Sequence, residues 1–334
     1  MTREMPGQTA HGATISVVVP VYRSAETLTE LHRRLVAVLT PCGASFEIIF
    51  VEDCGGDDSW EVIESLARRD ARVRGLRLSR NYGQHNALLC GIRAARYEIV
   101  ITIDDDLQNP PEEIPKLLAK LLEGFDVVYG VPEREQHGFL RGRAASITKL
   151  ALASAMGTRT ARQVSAFRAF RSYIRDGFKD YWSPFVSIDV LLTWGTTRFT
   201  HLPVRHDARA AGDSNYTVRK LITHALNMMT GFTTLPLQLA SMLGFVSSLF
   251  GLCILGYVLI VYFIEGGSVP GFPFLASIIA IFSGVQLFAL GIIGEYLARM
   301  HLRSMDRPPY LVREEFTHPA LPCAEAEEAG RLNP

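Results

Sequence analysis

The sequence predicts an α/β protein with a doubly wound, mostly parallel sheet, followed by an interfacial amphipathic helix and two transmembrane helices. Short β-branched runs alternate with segments of helical periodicity in the first half of the chain, which is typical of a sheet covered by helices. Acidic side chains follow several of these runs directly. Apolar residues then concentrate after residue 235 of the 334, in stretches long enough to cross a bilayer.

The first domain is predicted as a regular succession of strands and helices. Each predicted strand is a short apolar run bounded by turn residues: 15–21 (ended by Pro20), 46–51, 73–78, 98–103, 126–130 and 163–170. The helices predicted from Ser24 and from Ser59 carry apolar residues at helical spacing, and further helices are predicted at 87–95, 111–122, 140–156 and 187–194. This order indicates one α/β domain over residues 14–217, after a disordered tail at 1–13.

Composition narrows the class of protein. Formal net charge is zero, so no basic field indicates nucleic acid as a partner. The five cysteines are scattered without metal spacing, which favours a reduced, cytosolic compartment. The first dozen residues lack a long apolar run, so we expect no signal peptide.

The most informative stretch is residues 98–115, which read E-I-V-I-T-I-D-D-D-L-Q-N-P-P-E-E-I-P. Three aspartates directly after a buried strand repel one another, and a divalent cation reverses that balance. A helix start is the alternative, with Asn109 as the N-cap and Pro110 at the first helical position. That alternative explains the acids after Asn109 but not the three before it.

The spacing of these acids predicts a metal site. Residues two apart share a face of an extended segment, so we expect Asp104 and Asp106 to meet one Mg²⁺ or Mn²⁺. Gln108 comes next on that side, and Asp105 points elsewhere. Because Mg²⁺ takes one or two carboxylates and completes its shell with water and substrate phosphates, the pattern favours a diphosphate ligand.

Polar loops after three strands are expected to meet, because ligands of doubly wound sheets bind beyond the carboxyl ends of the strands. The loop after the first strand carries Tyr22, and the loop after the second carries Glu52 and Asp53. The chain has no G-x-x-x-x-G-K-[ST] and no G-x-G-x-x-G pattern. If a nucleotide binds here, acids and a metal hold its phosphates.

A polar run at residues 133–143 contains several arginines, among them Arg134 and Arg141. Such runs are usually solvated loops. The functional alternative is a flap that presents guanidinium groups to a phosphate, and we assign Arg134 and Arg141 to phosphate binding, with Arg141 also acting in catalysis.

The C-terminal part is predicted to be membrane-bound. Residues 235–264 and 272–296 each exceed the roughly 20 residues that span a bilayer. Residues 218–230 carry apolar side chains on one face and precede the first span, which indicates an interfacial helix. Lysine and arginine flank the pair but are absent from its connection, so the α/β domain, both termini and the tail at 297–334 are placed in the cytosol. In the first span Gly244, Ser247, Ser248 and Gly251 are compatible with a homo-oligomer, although glycines are common in membrane helices.

Four motifs of the α/β domain read V-V-V-P-V-Y, V-E-D-C-G-G-D-D-S-W, L-S-R-N-Y-G-Q-H-N-A and I-D-D-D-L-Q-N-P-P-E-E-I-P. They resemble family 2 glycosyltransferases of the Rossmann-like GT-A fold. The last motif, the sequence R-A-A-G-D-S-N-Y at 209–216 and the two spans are similar to polyprenyl-phosphate glycosyltransferases, such as dolichol-phosphate mannose synthase. The resemblance covers about residues 14–305.

The resemblance implies roles for individual residues. The implied nucleotide-binding residues are Pro20, Tyr22, Asp53 and Asp105. The implied metal and diphosphate ligands are Asp104, Asp106 and Gln108, and the two aspartates are also assigned to catalysis. Phosphate contacts near the membrane are implied for Arg209, with Ser214 in the same motif.

The chain departs from the family pattern at three places. Arg23 and Ser24 stand where many members have asparagine and then acids, and Asn215 stands where many have lysine. Residues 164–168 lack the carboxylate that some relatives carry, so we assign no catalytic base there.

The implied activity is transfer of a sugar from a nucleotide-diphosphate donor to a polyprenyl phosphate at a lipid bilayer. A processive polysaccharide synthase, or a transferase to another glycolipid, is a second hypothesis, but the Q-x-x-R-W motif of processive relatives is absent. A non-catalytic scaffold that only binds nucleotide sugar is a third, and the intact set of metal-binding residues argues against it.

Overall fold

The computed structural model describes residues 12–42, 45–133, 163–207, 234–265 and 271–318. Its strands are β1 (Thr14–Val21), β2 (Ser45–Glu52), β3 (Val73–Leu78), β4 (Ile99–Thr102), β5 (Val127–Pro132), β6 (Arg168–Arg171), β7 (Phe199–Val204) and β8 (Val312–Thr317). Its α-helices are α1 (Ala25–Leu39), α2 (Ser59–Arg69), α3 (Gln84–Ala94), α4 (Ile114–Leu122), α5 (Ile188–Gly195), α6 (Leu235–Glu265) and α7 (Phe272–Ser304). The predicted helices at 140–156 and 218–230 lie outside the described residues.

The strands form one sheet in the order β7-β5-β6-β4-β1-β2-β3-β8. From β1 the chain runs outward through β2 to β3 and then returns to the other side of β1 to form β4. Only β6 and β8 run antiparallel to their neighbours, which confirms the mostly parallel sheet. The reversal of strand order between β1 and β4 is the place where such sheets bind ligands.

Helices cover both faces of the sheet because side chains alternate along each strand. Val17 and Val19 of β1 belong to the core that includes α1, α2 and α4. Val18, between them, belongs to the core that includes α3 and α5. Both faces of the central strands are therefore dry, which explains their continuous β-branched runs.

Contrary to the sequence prediction, Pro20 does not end the first strand. β1 continues to Val21, and Pro20 pairs in register with Val51 of β2. The pairing with β4 on the other side stops at Val18, opposite Thr102. At Pro20, β1 therefore has a strand neighbour only on the β2 side. Because the β4 ladder has already ended, the missing N–H of proline does not interrupt it.

Three parts of the sheet differ from the prediction. The strand predicted at residues 163–170 is confined to β6, and β7 lies in a segment without a predicted strand. The C-terminal segment predicted as a tail, residues 297–334, contributes β8, which pairs with β3 at the edge of the sheet. β8 carries the charged run R-E-E and was missed because it has no apolar face of its own.

Within the described part of the chain, two helices are long and apolar enough to cross a membrane, with windows at Leu235–Val261 in α6 and Ile281–Ser304 in α7. Neither window is buried within the described parts of the protein, unlike the core helix of a soluble domain. Large apolar side chains such as Phe245, Leu252 and Leu287 are exposed on their surfaces. An exposed apolar surface of this extent needs a lipid or protein partner. α7 runs on past the predicted end of the second span to Ser304.

The two long apolar helices are joined to the α/β domain at the end of α7. The guanidinium of Arg299 lies 4.7 Å from the ring centroid of Phe185, and that of Arg303 lies 5.5 Å from the ring centroid of Tyr181. The chain then enters β8, and the Ser79 N–H donates to the Leu311 carbonyl at 2.8 Å. The carboxyl end of α7 is thus anchored to the sheet.

Candidate active site

The loops after β1, β2 and β4 meet at the reversal of strand order. The Tyr22 N–H donates to Oδ2 of Asp105 at 3.0 Å, and the Asp53 N–H donates to the Val21 carbonyl at 2.9 Å. Tyr22 is 45% exposed beside these loops, whereas Pro20 is buried in β1. The exposed ring of Tyr22 therefore lies beside the loops that carry Asp53 and Asp105.

The three aspartates lie in a turn, which corrects the expected extended geometry. β4 ends at Thr102, and Leu107 adopts a left-handed conformation with φ 61°. The N–H of Gln108 donates to Oδ1 of Asp106 at 3.1 Å and closes the turn. Besides burial, the charge of Asp106 raises the pKa of Asp104, so the two carboxylates lie close to each other although β4 has already ended.

The charges of this turn crowd one another. Burial, then the neighbouring carboxylates of Asp106 and Asp105, raise the pKa of Asp104 to about 7. Burial also raises the pKa of Asp105, although bonds from Ser24 and the Tyr22 N–H act in the opposite direction. Keeping these carboxylates ionised therefore costs free energy, and a bound cation would lower that cost.

A divalent ion fits this donor set. No group of three His, Cys, Asp or Glu side chains that could enclose an ion is found in the described part of the chain. Two carboxylates are nevertheless enough for Mg²⁺ or Mn²⁺, because water and a substrate diphosphate supply the other ligands. Asp104 and Asp106 would provide that pair, and the half-buried Gln108 adjoins them on the same turn.

One arginine near the aspartates is buried, and the sequence analysis assigned it no role. Arg168 is 1% exposed, and its Nη1 contacts Oδ1 of Asp189 at 2.5 Å. Its Nε donates to Oγ1 of Thr102 at 3.1 Å, and the Tyr129 hydroxyl donates to Asp189 at 3.1 Å. The positive charge of Arg168 lowers the pKa of Asp104 against the larger effects that raise it.

Asp53 is engaged by the protein itself. Its Oδ1 accepts the Tyr82 N–H at 2.7 Å and its Oδ2 accepts the Gly83 N–H at 2.8 Å. The side chain is buried, and burial outweighs these two bonds, so that the pKa of Asp53 rises to about 6. In this structure Asp53 fixes the loop after β3, a role that sequence reasoning did not foresee.

Gln84 is the second residue that sequence reasoning missed. It begins α3, and its Nε2 donates to Oδ1 of Asp104 at 2.7 Å. Gln84 belongs to the motif L-S-R-N-Y-G-Q-H-N-A, which was recognised as a whole without a role for this side chain. The motif indicated a functional segment, but it did not show that the Gln84 side chain points toward Asp104.

Strained backbone is concentrated in the loops after β1, β2 and β4. Among the described residues other than glycine, positive φ occurs at Arg23 (57°), Cys54 (54°), Leu107 (61°) and Asp306 (47°). The first three lie in the loops after β1, β2 and β4. Arg23 also donates from Nε to the Gly55 carbonyl at 2.9 Å, which locks two of these loops together. Such strain is retained where the surrounding structure fixes a functional geometry.

The aspartate turn is also tied to the segment after β7. The Asp207 N–H donates to the Gln108 carbonyl at 2.8 Å, and His206 Nδ1 lies 3.4 Å from Oδ1 of Asn109. This segment precedes the motif R-A-A-G-D-S-N-Y at residues 209–216. The predicted phosphate-binding residues Arg134, Arg141, Arg209 and Ser214 lie outside the described residues, so their roles stay predictions.

Comparisons with known proteins identify the family of the chain. Glycosyl transferase family 2 matches residues 16–182. The undecaprenyl-phosphate 4-deoxy-4-formamido-L-arabinose transferase of Salmonella dublin is 35% identical over 314 residues, which cover 93% of this chain and 96% of that protein. The enzyme of the same name from Salmonella paratyphi A is 35% identical over 303 residues, covering 90% and 93%.

Solved structures with a similar fold include glucosyl-3-phosphoglycerate synthase from Mycobacterium tuberculosis in complex with Mn²⁺, UDP and glucosyl-3-phosphoglycerate. It is 19% identical, with a TM-score of 0.48, and covers 65% of this chain and 78% of that one. With the family matched over half of the chain and relatives over nearly all of it, the resemblance read from the motifs is confirmed. The chain belongs to glycosyl transferase family 2 and is a glycosyltransferase.

Proposed function

We propose that the protein transfers one sugar from a nucleotide-diphosphate sugar to undecaprenyl phosphate or a related polyprenyl phosphate, with inversion at the anomeric carbon. The observation that carries the proposal is 35% identity to an undecaprenyl-phosphate sugar transferase over 93% of the chain, which includes both apolar helices. The product would serve as a sugar donor for modification of the cell envelope.

The site supports this chemistry on the donor side. Asp104 and Asp106, with Gln108 beside them, would hold Mg²⁺ or Mn²⁺ against the donor diphosphate. When bound, the ion would neutralise the charge that develops on the nucleoside diphosphate as it leaves. Tyr22 and the loop fixed by Asp53 would form the wall for the nucleoside, and Asp105 holds that wall to the aspartate turn.

The acceptor explains why no catalytic base is needed. A phosphate monoester has a second pKa near 6 and is largely dianionic at neutral pH. Its oxygen attacks the anomeric carbon, and the bond from that carbon to the nucleoside diphosphate breaks. Arg134, Arg141, Arg209 and Ser214 would bind the acceptor phosphate, and Arg141 would align it for attack.

The position of β8 supports a hairpin topology. Because β8 follows α7 and pairs with β3, the carboxyl end of α7 lies on the same side of a membrane as the α/β domain. α6 and α7 would then cross and return, as the arginine and lysine distribution indicates. We place the catalytic domain and both flanks of the hairpin on the cytosolic side of the inner membrane.

A donor screen tests the proposal. Purified protein in lipid would receive undecaprenyl phosphate, Mn²⁺ or Mg²⁺, and a panel of UDP- and GDP-sugars, followed by mass spectrometry of the lipids. One new lipid mass that disappears with EDTA would confirm the reaction class and identify the sugar. Release of nucleotide without a new lipid would contradict transfer to this acceptor.

A further inference from the structure

The side chain that contacts Asp104 most closely among the described residues is the amide of Gln84. Its Nε2 lies 2.7 Å from Oδ1 of Asp104, and no other described donor reaches this carboxylate. Gln84 stands at the start of α3 and is exposed, so it contributes little to the core. This contact is with a residue that would hold the divalent ion.

The backbone before Gln84 is fixed from two sides. Both oxygens of Asp53 accept N–H groups of Tyr82 and Gly83, and Nδ2 of Asn86 donates to the Tyr82 carbonyl at 2.6 Å. Gly83 has φ 92°, a conformation that side chains other than glycine rarely adopt. The end of β2 therefore sets where the Gln84 side chain begins.

The chemistry of an amide suits this position. A carboxylate that binds a metal must keep one oxygen free and must keep its charge. The Gln84 amide is neutral, so it orients Oδ1 of Asp104 without neutralising the carboxylate, as a lysine ammonium would. A hydrogen bond to a charged acceptor is also stronger than one between neutral groups.

We propose that Gln84 is a positioning residue that orients the Asp104 carboxylate for the divalent ion and the donor diphosphate, and that Asp53 acts through it by fixing the preceding turn. The inference rests on the proposed function, because it concerns the metal-binding step of that reaction. It gives Asp53 a role in holding the turn before α3 in addition to lining the nucleotide pocket.

The test compares Gln84→Leu, which removes the amide, and Gln84→Asn, which shortens it by one methylene, with the wild-type protein. Full-length proteins would be titrated with Mn²⁺ in the presence of UDP or GDP, and free Mn²⁺ would be measured by electron paramagnetic resonance. Glu61→Leu is the matched control, since Glu61 is an exposed residue in the first turn of α2.

Both Gln84 variants are expected to bind Mn²⁺ about tenfold more weakly, because one charge-assisted hydrogen bond is lost. The Mn²⁺ concentration for half-maximal transfer should rise by the same factor, while the thermal midpoint without Mn²⁺ stays that of the wild type. Glu61→Leu should change none of these. A merely structural role would lower the thermal midpoint and leave Mn²⁺ affinity unchanged.

Mn²⁺ affinity of Gln84→Leu within twofold of wild type would overturn the inference. Failure of the proposed function gives a different result. If the wild type binds Mn²⁺ with nucleotide, Gln84→Leu loses that affinity and neither transfers sugar to a lipid, the inference stands and the proposed acceptor is wrong.

Discussion

The backbone N–H of Tyr22 donates to the carboxylate of Asp105 across 3.0 Å and joins the loop after β1 to the loop after β4. These strands are neighbours in space but are separated in sequence by β2 and β3. Asp105, the middle aspartate, therefore connects the expected nucleoside wall to the expected metal site. We assign the two outer aspartates, Asp104 and Asp106, to the ion.

Removing this connection should weaken donor binding. Asp105→Ala leaves the Tyr22 N–H without its acceptor, so we expect the donor KM to rise about tenfold. Asp105→Asn keeps an acceptor oxygen and should remain within a few-fold of wild type. Steady-state kinetics over a range of donor concentrations would measure both. Equal KM values for Asp105→Ala and wild type would show that the bond does not order the donor site.

The pKa of Asp104 makes a prediction about stability. With a pKa of about 7 when folded and about 3.8 when unfolded, the folded protein without metal keeps a proton that the unfolded chain has released. The free energy of unfolding therefore falls as pH rises from about 4 to about 7. Asp104→Asn removes this dependence and should have the higher thermal midpoint at pH 8 in EDTA.

Two conditions serve as controls for that prediction. The difference between the midpoints of Asp104→Asn and wild type should narrow from pH 8 to pH 5 and close below about pH 4, where the carboxyl is protonated in the unfolded chain as well. Mn²⁺ with nucleotide should stabilise only the wild type. An Asp104→Asn midpoint below that of the wild type at pH 8 in EDTA would contradict the raised pKa.

The sequence was most informative where local pattern and strand order act together. The β-branched runs and the turn residues between them predicted β1 to β5. They also placed Tyr22 and the aspartates together at the carboxyl ends of the central strands. β8 could not be predicted, because its pairing with β3 arises from tertiary structure and the segment has no apolar periodicity. β7, at the other edge, was missed for a similar reason.

The site was predicted by residue type more reliably than by geometry. The clustering of Asp104 and Asp106 in the sequence singled them out, but they follow the end of β4 and do not lie on the face of an extended strand. Arg168 and Gln84 approach Asp104 from other elements, β6 and α3. Such contacts between distant segments leave no spacing rule in one sequence.

The ion pair between Arg168 and Asp189 should be a large contributor to stability of the domain. Arg168→Met leaves Asp189 buried without its charged partner, at an expected cost of about 3–5 kcal/mol. The double variant Arg168→Met with Asp189→Leu should regain much of that loss, because no unpaired charge remains. Thermal unfolding of the two variants measures the difference. A single variant as stable as wild type would contradict this role.

Gly251 is expected to hold the two apolar helices together. A Cβ built on Gly251 lies 2.7 Å from Cζ of Phe282 in α7, whereas one built on Gly244 meets nothing within 4 Å among the described residues. The predicted small-residue face of α6 is therefore used partly within the chain. Gly251→Leu should lower the thermal midpoint in detergent, and Gly244→Leu is the matched control. Equal effects of the two variants would show that the packing at Gly251 is not needed.

The central claim is that Asp104 and Asp106 carry metal-dependent transfer of a single sugar to a polyprenyl phosphate. The most direct measurement is the intact mass of undecaprenyl phosphate after incubation with the donor, for wild type and for Asp106→Asn reconstituted to the same level. We expect one added sugar per lipid with wild type and Mn²⁺, and none with EDTA or with Asp106→Asn. Near-normal product from Asp106→Asn, or a ladder of several sugars per lipid, would contradict the claim.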